Sequence, residues 1–122
     1  MRRILLDEGV PVGVRRFLTG YSVEFVPEIG WAGRTNGDLI NAAEQADFDI
    51  MVTCDKNISY QNNLIGKNLA LVVLSTNHWA TIRTAPERVV EAVNEAVPGG
   101  FREVMFDRPP LRRRRLNPST EC

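Results

Sequence analysis

Two apolar runs constrain this chain more than any other feature. Ile50-Met51-Val52-Thr53-Cys54 and Leu69-Ala70-Leu71-Val72-Val73-Leu74 lack the alternation of polar and apolar residues that a half-exposed strand shows. Each reads as a strand covered on both faces, as in the centre of a parallel sheet. Such strands need helices above and below them, and the intervening segments supply helical patterns. Pro11 to Leu18 places Val14, Phe17 and Leu18 on one face, with Pro11 suited to a first turn and Gly20 to the exit. Thr35 and Asn36 are helix caps ahead of Leu39, Ile40, Ala42, Ala43 and Ala46, with Asp38 in the first turn. Pro86 to Val97 carries Val89, Val90, Val93, Ala96 and Val97 on one side, with a cap at Thr84 or nearby and an end at Pro98-Gly99-Gly100.

Three further runs complete the strands. Arg3 to Leu6 is short, apolar and followed at once by charge; Tyr21 to Val26 alternates and is stopped by Pro27; Phe101 to Phe106 closes the series. The expected fold is therefore one α/β domain over residues 1–108, with a mostly parallel sheet of about five strands flanked by helices. Asn57 to Gly66 reads as a polar loop or short helix, and Trp31 and Trp79 both fall in loops. Residues 109–122, which include Arg112 to Arg115, are expected to form a basic tail that frays.

Bulk properties narrow the function classes. A chain of 122 residues fits one domain, and 43% hydrophobic with 25% charged residues is ordinary for a water-soluble protein. No apolar run approaches the roughly 18–20 residues of a membrane helix. The first apolar run is cut by Asp7, unlike a signal peptide. Cys54 and Cys122 form neither a disulfide framework nor a zinc spacing, as expected in a reducing cytoplasm. Net charge is zero, so the whole molecule carries no nucleic-acid signature, although a local basic patch can still track phosphates.

Sites in open α/β sheets form at the carboxyl ends of strands. There the chain places Asp7-Glu8 after the first strand, Asp55 after the third, and Ser75-Thr76-Asn77 after the fourth. Carboxylates brought together repel unless protonation or a cation neutralises them. Oxygen ligands with room for water and phosphate suit Mg²⁺ or Mn²⁺, which can activate water and stabilise a phosphodiester leaving group. Structural readings stand beside these. Asp7 could cap the next loop, Glu8 could be a solvated charge, and Asp55 could close an Asx turn onto Asn57. For Asp38, helix capping and metal ligation are equally good by position. Lys56 suits a phosphate contact or a solvated surface, and Asn57 is more often a turn residue than a ligand. Ser59 to Asn63, including Gln61, offers uncharged donors for a ribose or base. His78, the single histidine, makes no triad. Each Trp suits a peripheral core anchor or a base-stacking platform.

Several segments, in order, resemble the PIN-like proteins that serve as toxins of bacterial toxin–antitoxin pairs. They are Ile4-Leu5-Leu6-Asp7-Glu8, Glu28-Ile29-Gly30-Trp31-Ala32-Gly33 with Asn36-Gly37-Asp38, and Val52-Thr53-Cys54-Asp55-Lys56-Asn57. Tyr60-Gln61-Asn62-Asn63-Leu64 and Val73-Leu74-Ser75-Thr76-Asn77 continue the likeness, which spans residues 3 to 97. The resemblance implies a three-layer PIN-like domain and a Mg²⁺- or Mn²⁺-dependent ribonuclease site. It further implies an RNA substrate, a cognate antitoxin protein, a homodimer, and no membrane association. By position, Asp7, Glu8, Asp38 and Asp55 take the metal-binding and catalytic places, with Lys56, Asn57, Gln61 and Asn77 toward substrate. Asn57 stands where some relatives carry an acid, and Ser75-Thr76-Asn77 lacks the late acid of other PIN nucleases.

Two other functions share these residues. A phospho-acceptor receiver would use Asp55 as acceptor and Asp7-Glu8 for Mg²⁺, but it needs a lysine ending the fifth strand, and Phe101 to Pro110 contains none. A non-catalytic PIN-like binding protein would keep the fold without the chemistry.

Overall fold

The computed structural model describes residues 2–56, 64 and 67–106. The polar segment after Lys56, with Asn57 and Gln61, and the Arg-rich tail lie outside the described residues. Among the described residues, five strands form one sheet: β1 (Arg3–Leu6), β2 (Ser22–Phe25), β3 (Ile50–Thr53), β4 (Ala70–Leu74) and β5 (Phe101–Val104). Their order is β2-β1-β3-β4-β5 and every neighbouring pair is parallel, so the sheet is wholly rather than mostly parallel. The chain runs outward from β1 to β2, then crosses back to lay β3 on the other side of β1. That reversal makes the carboxyl ends of β1 and β3 the topological switch point, where open α/β sheets form a crevice.

Strand alternation sorts the side chains between two cores. Ile4, Leu6, Ile50, Val52, Ala70, Val72 and Leu74 face Val14, Leu18, Ile82, Val89 and Val93. Leu5, Met51, Leu71 and Val73 face Val26, Leu39, Ile40, Ala43 and Phe48. The first face is covered by a 3₁₀ helix (Val12–Phe17), α2 (Trp79–Ile82) and α3 (Pro86–Glu95), and the second by α1 (Asn36–Gln45). The fold is a three-layer α/β arrangement. No described helix is long and apolar enough to cross a membrane.

Local details differ from the pattern reading; α3 ends at Glu95, which leaves Val97 exposed instead of on its buried side. The helix expected from Pro11 to Leu18 is a 3₁₀ helix with Pro11 as its N-cap, wound tightly where Gly13 lies under the Trp79 indole. A Cβ at Gly13 would sit 2.6 Å from that ring. His78 is exposed in the loop, at the N-cap position of α2, but Trp79 begins that helix and stacks on Phe17 with centroids 5.5 Å apart. Thr84 does not cap α3, because its hydroxyl donates to the Thr81 carbonyl at 2.6 Å; Ala85 holds the cap position without a side-chain bond. The α1 start is as expected, with Thr35 Oγ1 accepting the Asp38 N–H at 3.2 Å.

Candidate active site

Register places the residues of interest in a row. Leu6 pairs with Val52, and the Asp7 N–H continues the ladder by donating to the Val52 carbonyl at 2.9 Å. Thr53 pairs in turn with Val73, and Leu74 with Val104. Asp7, Thr53 and Ser75 thus fall at adjacent strand ends on the α1 side of the sheet.

Thr53 is fully buried, and its hydroxyl bridges the Asp7 carboxylate to the main chain of Asp55. Thr53 Oγ1 donates to Asp7 Oδ2 at 2.7 Å and accepts the Asp55 N–H at 3.1 Å. The other oxygen of Asp7, Oδ1, accepts the Glu8 N–H at 2.8 Å. Both Asp7 oxygens are therefore held in orientation, and each keeps lone-pair capacity for a further partner. Asp7 and Asp55 are half-buried, as expected for groups lining a crevice rather than a core. Sequence reasoning passed over Thr53. Its signal was present: a hydroxyl at the last position of an otherwise apolar buried strand must find a partner.

Cys54, between Thr53 and Asp55, turns to the opposite face and packs with the first core. Its thiol donates to the Thr76 carbonyl at 3.3 Å, tying the end of β3 to the segment after β4. Burial, and then the nearby Asp7 carboxylate, push the thiol pKa up to about 12. Cys54 is therefore held as a neutral thiol, packed with the first core, at ordinary pH.

The other expected site residues lie farther out. Glu8 is exposed and turns toward the loop before α1, where Oε1 accepts the Gly33 N–H at 3.2 Å. Asp38 is exposed at the start of α1 and pairs with Arg34 at 2.8 Å. Lys56 is exposed beside Asp55, and Asn77 is exposed beyond β4, two strands from Asp7. Among the described residues, no group of three or more His, Cys, Asp or Glu side chains converges to hold a metal ion. By donor chemistry, Asp7 and Asp55, which follow the neighbouring strands β1 and β3, are the side chains that could hold Mg²⁺ or Mn²⁺. Such ions are commonly held by one or two carboxylates, with water and substrate phosphate completing the shell.

Against protein-family models, characterised proteins and solved structures, this chain finds no match, so the fold and the Asp7–Thr53–Asp55 arrangement carry the functional reading.

Proposed function

We propose that the chain is a Mg²⁺- or Mn²⁺-dependent ribonuclease of PIN-like type, the toxin of a toxin–antitoxin pair, with RNA as substrate and an antitoxin protein as partner. The observation that supports this reading is the buried Thr53 hydroxyl at the switch point, which orients the Asp7 carboxylate and holds the main chain of Asp55 beside it. Asp7 and Asp55 would hold the ion, which when bound supplies Lewis-acid stabilisation and an activated water. Thr53 fixes the Asp7 carboxylate so that no reorganisation is needed on binding. Lys56 and Asn77 would meet the phosphate backbone; Asn57 and Gln61, outside the described residues, are assigned to substrate by the resemblance alone. Glu8 and Asp38, on the α1 side, would hold a second ion or orient hydrated cation.

Asp7→Asn and Asp55→Asn should each abolish Mn²⁺-dependent cleavage of RNA while the circular dichroism spectrum and unfolding midpoint stay near those of wild type. A double variant that cuts as well as wild type sinks the assignment.

One observation favours a second reading. The strand order 2-1-3-4-5 is that of flavodoxin-like domains, including phospho-acceptor receivers. Asp55 would then be the acceptor, yet no lysine occurs from Phe101 to Pro110 to pair with a phosphoryl group. Incubation with acetyl phosphate and Mg²⁺ followed by intact mass separates the readings: a phosphoryl adduct on Asp55 selects the receiver.

A further inference from the structure

A cavity of about 510 Å³ lies along α1, on the same side of the sheet as Asp7 and Thr53. Its walls are Trp31, Arg34, Asp38, Asn41, Ala42 and Gln45, with Ala46 at one end. The size falls within the range of small-ligand sites. Trp31 is half-buried and anchored edge-on against Phe48, with centroids 6.1 Å apart and planes at 76°. The Arg34 guanidinium lies 5.1 Å from the indole centroid, over the ring. An aromatic ring and a cation over it therefore meet at the cavity wall, and Asp38 pairs with Arg34 at 2.8 Å.

The helix wall adds polar groups. Asn41 and Gln45 are four residues apart, hence on one face of α1, and both are exposed. Carboxamides present a donor and an acceptor side by side, the pattern that reads the edge of a nucleobase. Lys67 Nζ donates to Asn41 Oδ1 at 3.0 Å and lies 3.7 Å from Glu44 Oε1, which orients the Asn41 carboxamide with its NH₂ left toward the cavity. The cavity is also connected to the strand-end acids. Glu8 accepts from Gly33, between Trp31 and Arg34 in the loop that forms the cavity wall.

We propose that this cavity is a base-binding subsite for single-stranded nucleic acid, with the base stacked against Trp31 and Arg34 and its edge met by Asn41 and Gln45. The subsite rests on the nuclease reading for its substrate but not for its chemistry. It would hold a nucleotide flanking the scissile phosphate rather than the phosphate itself. Stacking of bases on aromatic and guanidinium planes tolerates sequence, whereas the carboxamides add preference.

The test uses the full chain in EDTA, so that no cleavage occurs, with five-nucleotide RNA homopolymers and an abasic oligomer of equal length. Tryptophan fluorescence of wild type should be quenched by at least one homopolymer. The quench should vanish in Trp31→Phe, which retains Trp79. Asn41→Ala and Gln45→Ala should each weaken binding of the preferred base by roughly tenfold, the worth of one hydrogen bond. The abasic oligomer should not quench. Equal binding of abasic and base-bearing oligomers, a quench unchanged in Trp31→Phe, or no quench by any homopolymer overturns the subsite. Asp7→Asn keeps the two readings apart. If the Trp31-dependent quench persists in wild type and Asp7→Asn alike but neither cuts RNA with Mn²⁺, the nuclease reading fails and the subsite stands. Cleavage without a Trp31-dependent quench gives the reverse.

Discussion

Replacing Thr53 by valine keeps the shape of a fully buried side chain and deletes only its hydroxyl. Two bonds go with it: the 2.7 Å bond to Asp7 Oδ2 and the 3.1 Å bond from the Asp55 N–H. A hydrogen bond to a charged acceptor contributes about 1.5–3 kcal/mol, and a neutral one about 1 kcal/mol. Gain from burying a methyl in place of a hydroxyl offsets part of this, and Asp7 and Asp55 are only half-buried, so water recovers another part. The net expectation for Thr53→Val is a loss of about 2 kcal/mol. Thr53→Ser retains both bonds and loses one buried methyl, about 1 kcal/mol. Urea unfolding followed by circular dichroism resolves the difference. A double-mutant cycle with Asp7→Ala isolates the pair, with an expected coupling of about 1–2 kcal/mol. The same variants report on the site: Thr53→Ser should retain Mn²⁺-dependent cleavage, and Thr53→Val should lose most of it because Asp7 is no longer held. If Thr53→Val is as stable as wild type, or the cycle shows coupling below about 0.3 kcal/mol, the hydroxyl is not what organises the acids.

Further outcomes follow from other contacts. Gly13→Ala drives a methyl to 2.6 Å from an indole pinned by its stack on Phe17, so it should destabilise the fold by about 1–3 kcal/mol in urea titrations. Asp38→Asn breaks an exposed pair with Arg34 and should change the unfolding free energy by less than about 1 kcal/mol, measured at low and high salt. With the Cys54 thiol held up near 12, its folded form keeps the proton that the unfolded chain releases at about 8.5. Stability from this group is thus complete below pH about 8.5 and declines between there and 12. The fall in urea midpoint from pH 8 to 10 should be shallower in Cys54→Ser than in wild type. In a Cys122→Ser background, labelling of Cys54 by iodoacetamide at pH 8 should be slower than that of free cysteine by on the order of a thousandfold.

Much of the architecture was legible because it is written in local pattern. The unbroken runs Ile50–Cys54 and Leu69–Leu74 could only be strands covered on both faces, and they are the two central partners β3 and β4. Thr35 and Asn36 could be read as caps of α1 from their neighbours, and the hydrogen bond to the Asp38 N–H selects Thr35. The segment Val12–Phe17 misled, since its apolar spacing fits either helix type; the long-range approach of Trp79 to Gly13 packs against the tight 3₁₀ form. Thr84 misled for a similar reason, its hydroxyl being taken by the turn before α3.

The acids divide along the same line. That Asp7 and Asp55 end buried strands is a property of the sequence, because hydrophobic runs and the charges that stop them are neighbours in the chain. That a buried hydroxyl stands between them depends on β1 lying beside β3 in the register Leu6 to Val52. No local window contains that pairing. Glu8 and Asp38 show the converse. Chain position makes them candidates, yet rotation about a loop carries Glu8 to Gly33, and the i,i+4 geometry of α1 gives Asp38 to Arg34. The sequence by itself determined the layers, the parallel strands and the edge on which the acids stand, since these follow from which residues avoid water. Only the tertiary structure decided which acids share a hydrogen-bonded centre and where Trp31 opens a cavity, since those depend on distances between segments far apart in the chain.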